Sequence, residues 1–159
     1  MSHHQPTTAA VNTTAAAVSK LAIGIEYNGA HYYGYQTQHS SELPTVQAEV
    51  ERALSCVAGG LSIALNGAGR TDTRVHACEQ VAHFDAPVQR SSEAWLYGAN
   101  RYLPKDISVL WVKPVAQEFH ARFSALRRRY RYVIYSDPIR PALLKEGVTW
   151  AYKPLDAAR

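Results

Sequence analysis

Hydrophobic and polar residues alternate along this chain with two different periods. In "KLAIGIEY", Lys20 to Tyr27, the residues Leu21, Ile23, Ile25 and Tyr27 take every second position, which predicts a half-buried strand. A loop carrying Asn28-Gly29 and "HYYGYQ" follows. The period then changes: Val46, Val50, Ala53, Leu54 and Val57 recur at helical spacing, with Thr45 as N-cap and Gly59-Gly60 as the stop. Leu61 to Leu65 reads as a short strand and Ala77 to Phe84 as another. Ser91 and Ser92 cap a second helix whose apolar face holds Trp95, Ala99, Tyr102 and Leu103, and Pro104 ends it. Strands are predicted over Ile107 to Val115 and Arg129 to Tyr135, and "KPLDAAR" reads as the start of a further helix.

The order β-α-β-β-α-β plus one strand predicts an α+β fold. It is the ferredoxin-like split βαβ arrangement, an antiparallel sheet with its helices on one face. A chain of 159 residues suits one domain with a real core. No internal repeat is present. Residues 1–19, rich in Ala and Thr, lack the basic start and solid apolar core of a secretory signal. They are expected to form a disordered tail, with the folded unit over 20–159.

Composition narrows the classes. With 47% hydrophobic residues the chain is not a disordered one. Its net charge of +4 raises nucleic acid as a partner without proving it. Cys56 and Cys78 make no disulfide framework and fit a reducing, cytoplasmic compartment. No apolar run approaches the roughly 20 residues that span a bilayer, so no membrane association is expected.

The stretch "NGAGRTDTRVHACEQ", residues 66–80, carries the first candidate chemistry. Asp72 has a plain reading as a turn residue whose carboxylate accepts backbone N–H bonds. Against it stand Gly67 and Gly69, which permit close approach of a ligand, and Arg70, which offsets a carboxylate or binds phosphate. A loop between two strands also gives a rigid scaffold for aiming a side chain.

Arg122, Arg127, Arg128, Arg129 and Arg131 fall within ten residues that contain no acid. Such a run is either a solvated face or a phosphate-binding surface. Phe123, Tyr130 and Tyr132 are interleaved with it, and on a strand the face bearing Tyr130 and Tyr132 either stacks bases or packs the core while the face bearing Arg129 and Arg131 meets the backbone. His76, Cys78 and His83 match no zinc spacing, and neither common Gly-rich phosphate loop is present.

"LAIGIEYNGAHYYGYQTQ", "TVQAEVERAL", "GAGRTDTRVHACEQVAHFD", "FHARFSALRRRYRYVIY" and "RPALL" together resemble the N-terminal half of the tRNA pseudouridine synthase A family, from about Lys20 onward. The resemblance implies an isomerase that converts uridine to pseudouridine at positions 38 to 40 of the tRNA anticodon stem-loop. It implies no metal and no organic cofactor, and a homodimer for the full-length protein. It makes Asp72 the catalytic nucleophile and Arg70 the residue that helps draw the target nucleotide out of the stack. Tyr130 becomes the ring against the target uracil. The chemistry agrees, because a stacked base cannot turn and be rejoined through carbon until it is flipped out. A carboxylate then attacks the sugar C1′ or serves as a base in an elimination route.

Two departures stand out. The family usually reads Arg-Thr-Asp-Ala-Gly-Val-His, whereas Thr73 and Arg74 replace Ala-Gly here. Arg74 either narrows the pocket or adds a phosphate contact. Family members are also about a hundred residues longer, with a C-terminal half that supplies the other wall of the cleft. The 159-residue chain is therefore expected to be inactive alone. The alternative is a non-catalytic RNA-binding or dimerisation domain derived from that family. The RNA-recognition motif, for one, is not matched by "RRRYRYVIY".

Overall fold

A computed structural model describes residues 19–37 and 43–156. Of the expected tail only Ser19 falls among them, and it already belongs to the first strand. The elements run β1 (Ser19–Tyr27), α1 (Val46–Val57), β2 (Asn66–Gly67), β3 (Ala77–Ala86), α2 (Ser92–Tyr102), β4 (Ile107–Pro114), β5 (Ile134–Ser136) and β6 (Thr149–Ala151). The first four strands form one antiparallel sheet in the order β2-β3-β1-β4, the ferredoxin-like split βαβ arrangement.

β1 is central and pairs with both β3 and β4. Its odd-numbered residues Leu21, Ile23 and Ile25 are buried with Val50 and Leu54 of α1, Trp95 of α2 and Phe84 of β3. Each fully buried side chain of this size contributes about 1.5–3 kcal/mol. Trp95 meets Phe84 edge to face at 5.2 Å. The caps are those the sequence predicts: the Thr45 side chain accepts from Ala48 N, and the Ser91 side chain from Ala94 N. After α1, Gly59 N donates to Cys56 O and Gly60 N to Ser55 O, a Schellman closure. Tyr102, expected on the buried face of α2, is exposed, and Leu103 packs half-buried instead.

Two strand expectations are corrected. Leu61–Leu65 is not a strand, although Ile63 and Leu65 are buried. Its backbone is satisfied by α1 side chains: Ile63 N donates to Ser55 Oγ, Leu65 N to Glu51 Oε1, and Leu65 O accepts from Gln47. Sheet pairing starts only at Asn66, opposite His83. The expected strand Arg129–Tyr135 is confined to β5, which pairs in parallel with β6. Residues 129–132 alternate Arg and Tyr, but both sets are exposed, so the two-residue period has no face to bury. Lys153 to Asp156 is irregular, and the rest of the expected last helix lies outside the described residues.

Candidate active site and basic groove

Two loops dock to form the site. Residues 28–37, after β1, lie along residues 70–76, between β2 and β3. Gly29 N donates to His76 Nδ1 at 3.2 Å, and the hydroxyls of Tyr27 and Thr71 hydrogen-bond at 2.8 Å. Arg74 N donates to Tyr32 O, and Tyr35 N to Thr71 O. Gly34 sits at φ 95° with its α-carbon so near Thr71 O that a Cβ would lie 2.7 Å from that oxygen. Any larger residue would push the loops apart. The sequence stretches "HYYGYQ" and "GRTDTRVH" are thus one structural unit.

Asp72 lies in that unit between fixed points. Thr71 is anchored before it; Arg74 and His76 are anchored after it. Val75 N donates to Asp72 O at 3.2 Å, closing a turn whose third residue, Arg74, has φ 65°. That is a type II turn, which favours glycine at this position. The glycine of the resembled motif has a physical reason, and Arg74 occupies the position under strain. The Asp72 side chain is exposed, and among the described residues no hydrogen bond or ion pair engages its carboxylate. His76 accepts from Gly29 at Nδ1, so its Nε2 carries the proton that bonds the Glu146 carbonyl.

Beside this loop runs a groove of about 560 Å³, lined by Arg70, Arg122, Arg128, His120, Phe123 and Tyr35 among others. Among the described residues no carboxylate lines it. Arg128 is anchored by hydrogen bonds, donating from Nε and Nη2 to Ala68 O and from Nη2 to Arg122 O. The structure therefore brings Arg70, Arg122 and Arg128 together. Tyr130, Arg127, Arg129 and Arg131 lie on the exposed segment outside the groove lining. Sequence reasoning gave no role to Tyr35 or His120. Tyr35 is buried, and its hydroxyl has no hydrogen-bond partner among the described residues.

The "FHARFS" element closes the face of the sheet opposite the helices. Ala121 N donates to Nδ1 of the buried His83, whose ring meets Phe119 and His120. Burial first, then the neighbouring His120 and Lys20, push the His83 imidazole below its usual range. Burial likewise raises the Tyr27, Tyr32 and Tyr35 hydroxyls, and Tyr32 also donates to Asp106 at 2.7 Å. Among the described residues no three His, Cys, Asp or Glu side chains are grouped to hold a metal. No helix there is long and apolar enough to cross a membrane.

Residues 23–124 match the sequence family described as tRNA pseudouridine synthase. The chain belongs to that family. It is 52% identical over 142 residues to tRNA pseudouridine synthase A of Coxiella burnetii (strain Dugway 5J108-111), covering 89% of this chain and 53% of that protein. It is 54% identical over 151 residues to the protein of the same name from Pseudomonas aeruginosa PAO1, covering 95% and 52%. With that of Escherichia coli O1:K1 it shares 54% over 142 residues, covering 89% and 52%. The chain spans about half the length of these curated relatives.

Proposed function

We propose that this chain is the Asp72-bearing half of a tRNA pseudouridine synthase, an isomerase that acts on uridine at positions 38 to 40 of the anticodon stem-loop. The observation that carries the reading is Asp72, an exposed carboxylate on a loop pinned on both sides, two residues from an arginine that lines a groove without acids. The loop fixes the backbone before substrate arrives, so the carboxylate is positioned at little entropic cost. Arg70 draws the target nucleotide from the stack, which costs a few kcal/mol. The ring of Tyr130, 74% exposed, is free to stack on the uracil and recover about 1–3 kcal/mol. Asp72 then attacks C1′ or acts as the base of an elimination. Arg122, Arg127, Arg128, Arg129 and Arg131 face the RNA backbone. The same reading carries a cytoplasmic location and a homodimer for the full-length protein.

The test is Asp72→Asn in the full-length protein that contains this half, with pseudouridine in tRNA assayed by chemical labelling. Product should vanish while the thermal transition stays in place, because a solvated loop carboxylate contributes little to the core. Product near the parent level would remove Asp72 from the mechanism.

A further inference from the structure

We propose that the groove lined by Arg70, Arg122, Arg128, His120 and Phe123 is a separate subsite, which holds the nucleotide adjoining the target uridine by its phosphate and its base. This rests on the pseudouridine synthase reading and assigns a different part of the substrate from the one that reaches Asp72.

Three observations carry it. The first is charge. Three guanidinium groups line a cleft of about 560 Å³ in which no carboxylate is found among the described residues. Neither Arg70 nor Arg122 has a salt-bridge partner there. Uncompensated arginines converging on one cleft fit a phosphodiester, whose oxygens match the guanidinium fork.

The second is a stacking platform. Phe123 is 77% exposed, although Ala121, two residues before it, is buried. Its ring lies 4.4 Å from His120 at an interplanar angle of 35°, and the Arg122 guanidinium sits 5.9 Å from its centroid. A solvent-facing aromatic ring backed by an imidazole, at the rim of a cationic cleft, presents a π-face to an unstacked base. A buried side chain would serve the core; this one does not reach it.

The third is proximity. Arg70 belongs both to the groove lining and to the Asp72 loop, and two residues of extended chain span only about 7 Å. A nucleotide in the groove is therefore a direct neighbour of one at Asp72. Arg128 fixes this geometry by tying the β2 edge to residue 122 through the Ala68 and Arg122 carbonyls. It positions the groove and adds its charge.

The experiment is fluorescence anisotropy of the purified chain with a fluorescein-labelled RNA hairpin bearing unpaired uridines, titrated at several salt concentrations. Phe123→Leu should weaken binding at least fivefold, the low end of a base-stacking contribution. Arg122→Gln should reduce the slope of log affinity against log salt by about 0.7–0.9, one phosphate contact. Arg101→Gln, exposed on α2, controls for net charge and should leave both quantities unchanged. Phe123 and Arg122 are exposed, so circular dichroism should show both variants folded. If either groove variant behaves like Arg101→Gln while the parent binds RNA, the subsite is wrong and the broader reading stands. If the parent binds no RNA even at low salt, the groove does not hold a nucleotide and the subsite is likewise overturned, while the Asp72→Asn assay in the full-length protein decides the broader reading.

Discussion

The hydroxyl of Tyr27, at the end of the central strand, is hydrogen-bonded to the hydroxyl of Thr71 beside Asp72 at 2.8 Å. The central strand, paired on both sides, thereby reaches the residue before the proposed nucleophile. Tyr27→Phe keeps the ring and removes this bond. Stability should fall by about 1 kcal/mol, read from the urea midpoint. An unchanged midpoint would mean the bond does not hold the loop.

Arg74 offers the opposite experiment. Its φ of 65° costs a non-glycine residue about 1–2 kcal/mol, and the extra chain entropy of glycine returns part of that. Arg74→Gly should stabilise the protein by about 0.5–1 kcal/mol. A lower urea midpoint in the variant would show that the Arg74 side chain makes contacts worth more than the strain.

Tyr35 buries a hydroxyl without a partner among the described residues. An unsatisfied buried polar group costs about 1–3 kcal/mol. Tyr35→Phe should therefore raise stability by about 1 kcal/mol in a calorimetric scan. Destabilisation would show the hydroxyl to be hydrogen-bonded in solution.

His83 predicts an acid limb. Its folded-state pKa lies below the unfolded value of about 6.5, so the unfolded chain binds the proton first as pH falls. Its contribution is complete above that value and is lost as pH drops towards the folded pKa. Burial lowers it most, His120 and Lys20 lower it further, and Asp85 and the Asn66 backbone partly oppose them. His83→Gln should flatten the dependence of the urea midpoint on pH as pH falls below about 6.5. Parallel curves for variant and parent would exclude His83 as the source.

The α+β class, strands β1, β3 and β4 and both helices were legible because their signals are local: a period of two or of 3.6, a cap, a stop. Leu61–Leu65 misled because its apolar alternation is real, while its hydrogen-bond partners are side chains of α1 rather than a strand. Arg129–Tyr135 misled because alternation alone does not supply something to pack against. Asp72 and Arg70 stand out in the sequence through their motif, and family membership was legible through the match of residues 23–124. What the sequence left hidden depends on long-range contacts. Arg128 bonds a carbonyl 60 positions away, Gly34 presses on Thr71, and Arg74 is forced into the left-handed region by a turn closed across it.

The β5–β6 pair stands apart from the buried cluster, which among the described residues includes none beyond Val112. With so little apolar area beneath them, the amides of Ile134–Ser136 and Thr149–Ala151 should open at a lower free energy than those of β1 and β3. In deuterated solvent the chain would exchange in two stages, the small parallel pair first and the central strands only with global unfolding. Residues 125–133, with Tyr130 and four of the arginines, bridge the slow unit and the fast one. RNA bound along that bridge would register as slowed exchange in β5 and β6, at amides the RNA need never touch.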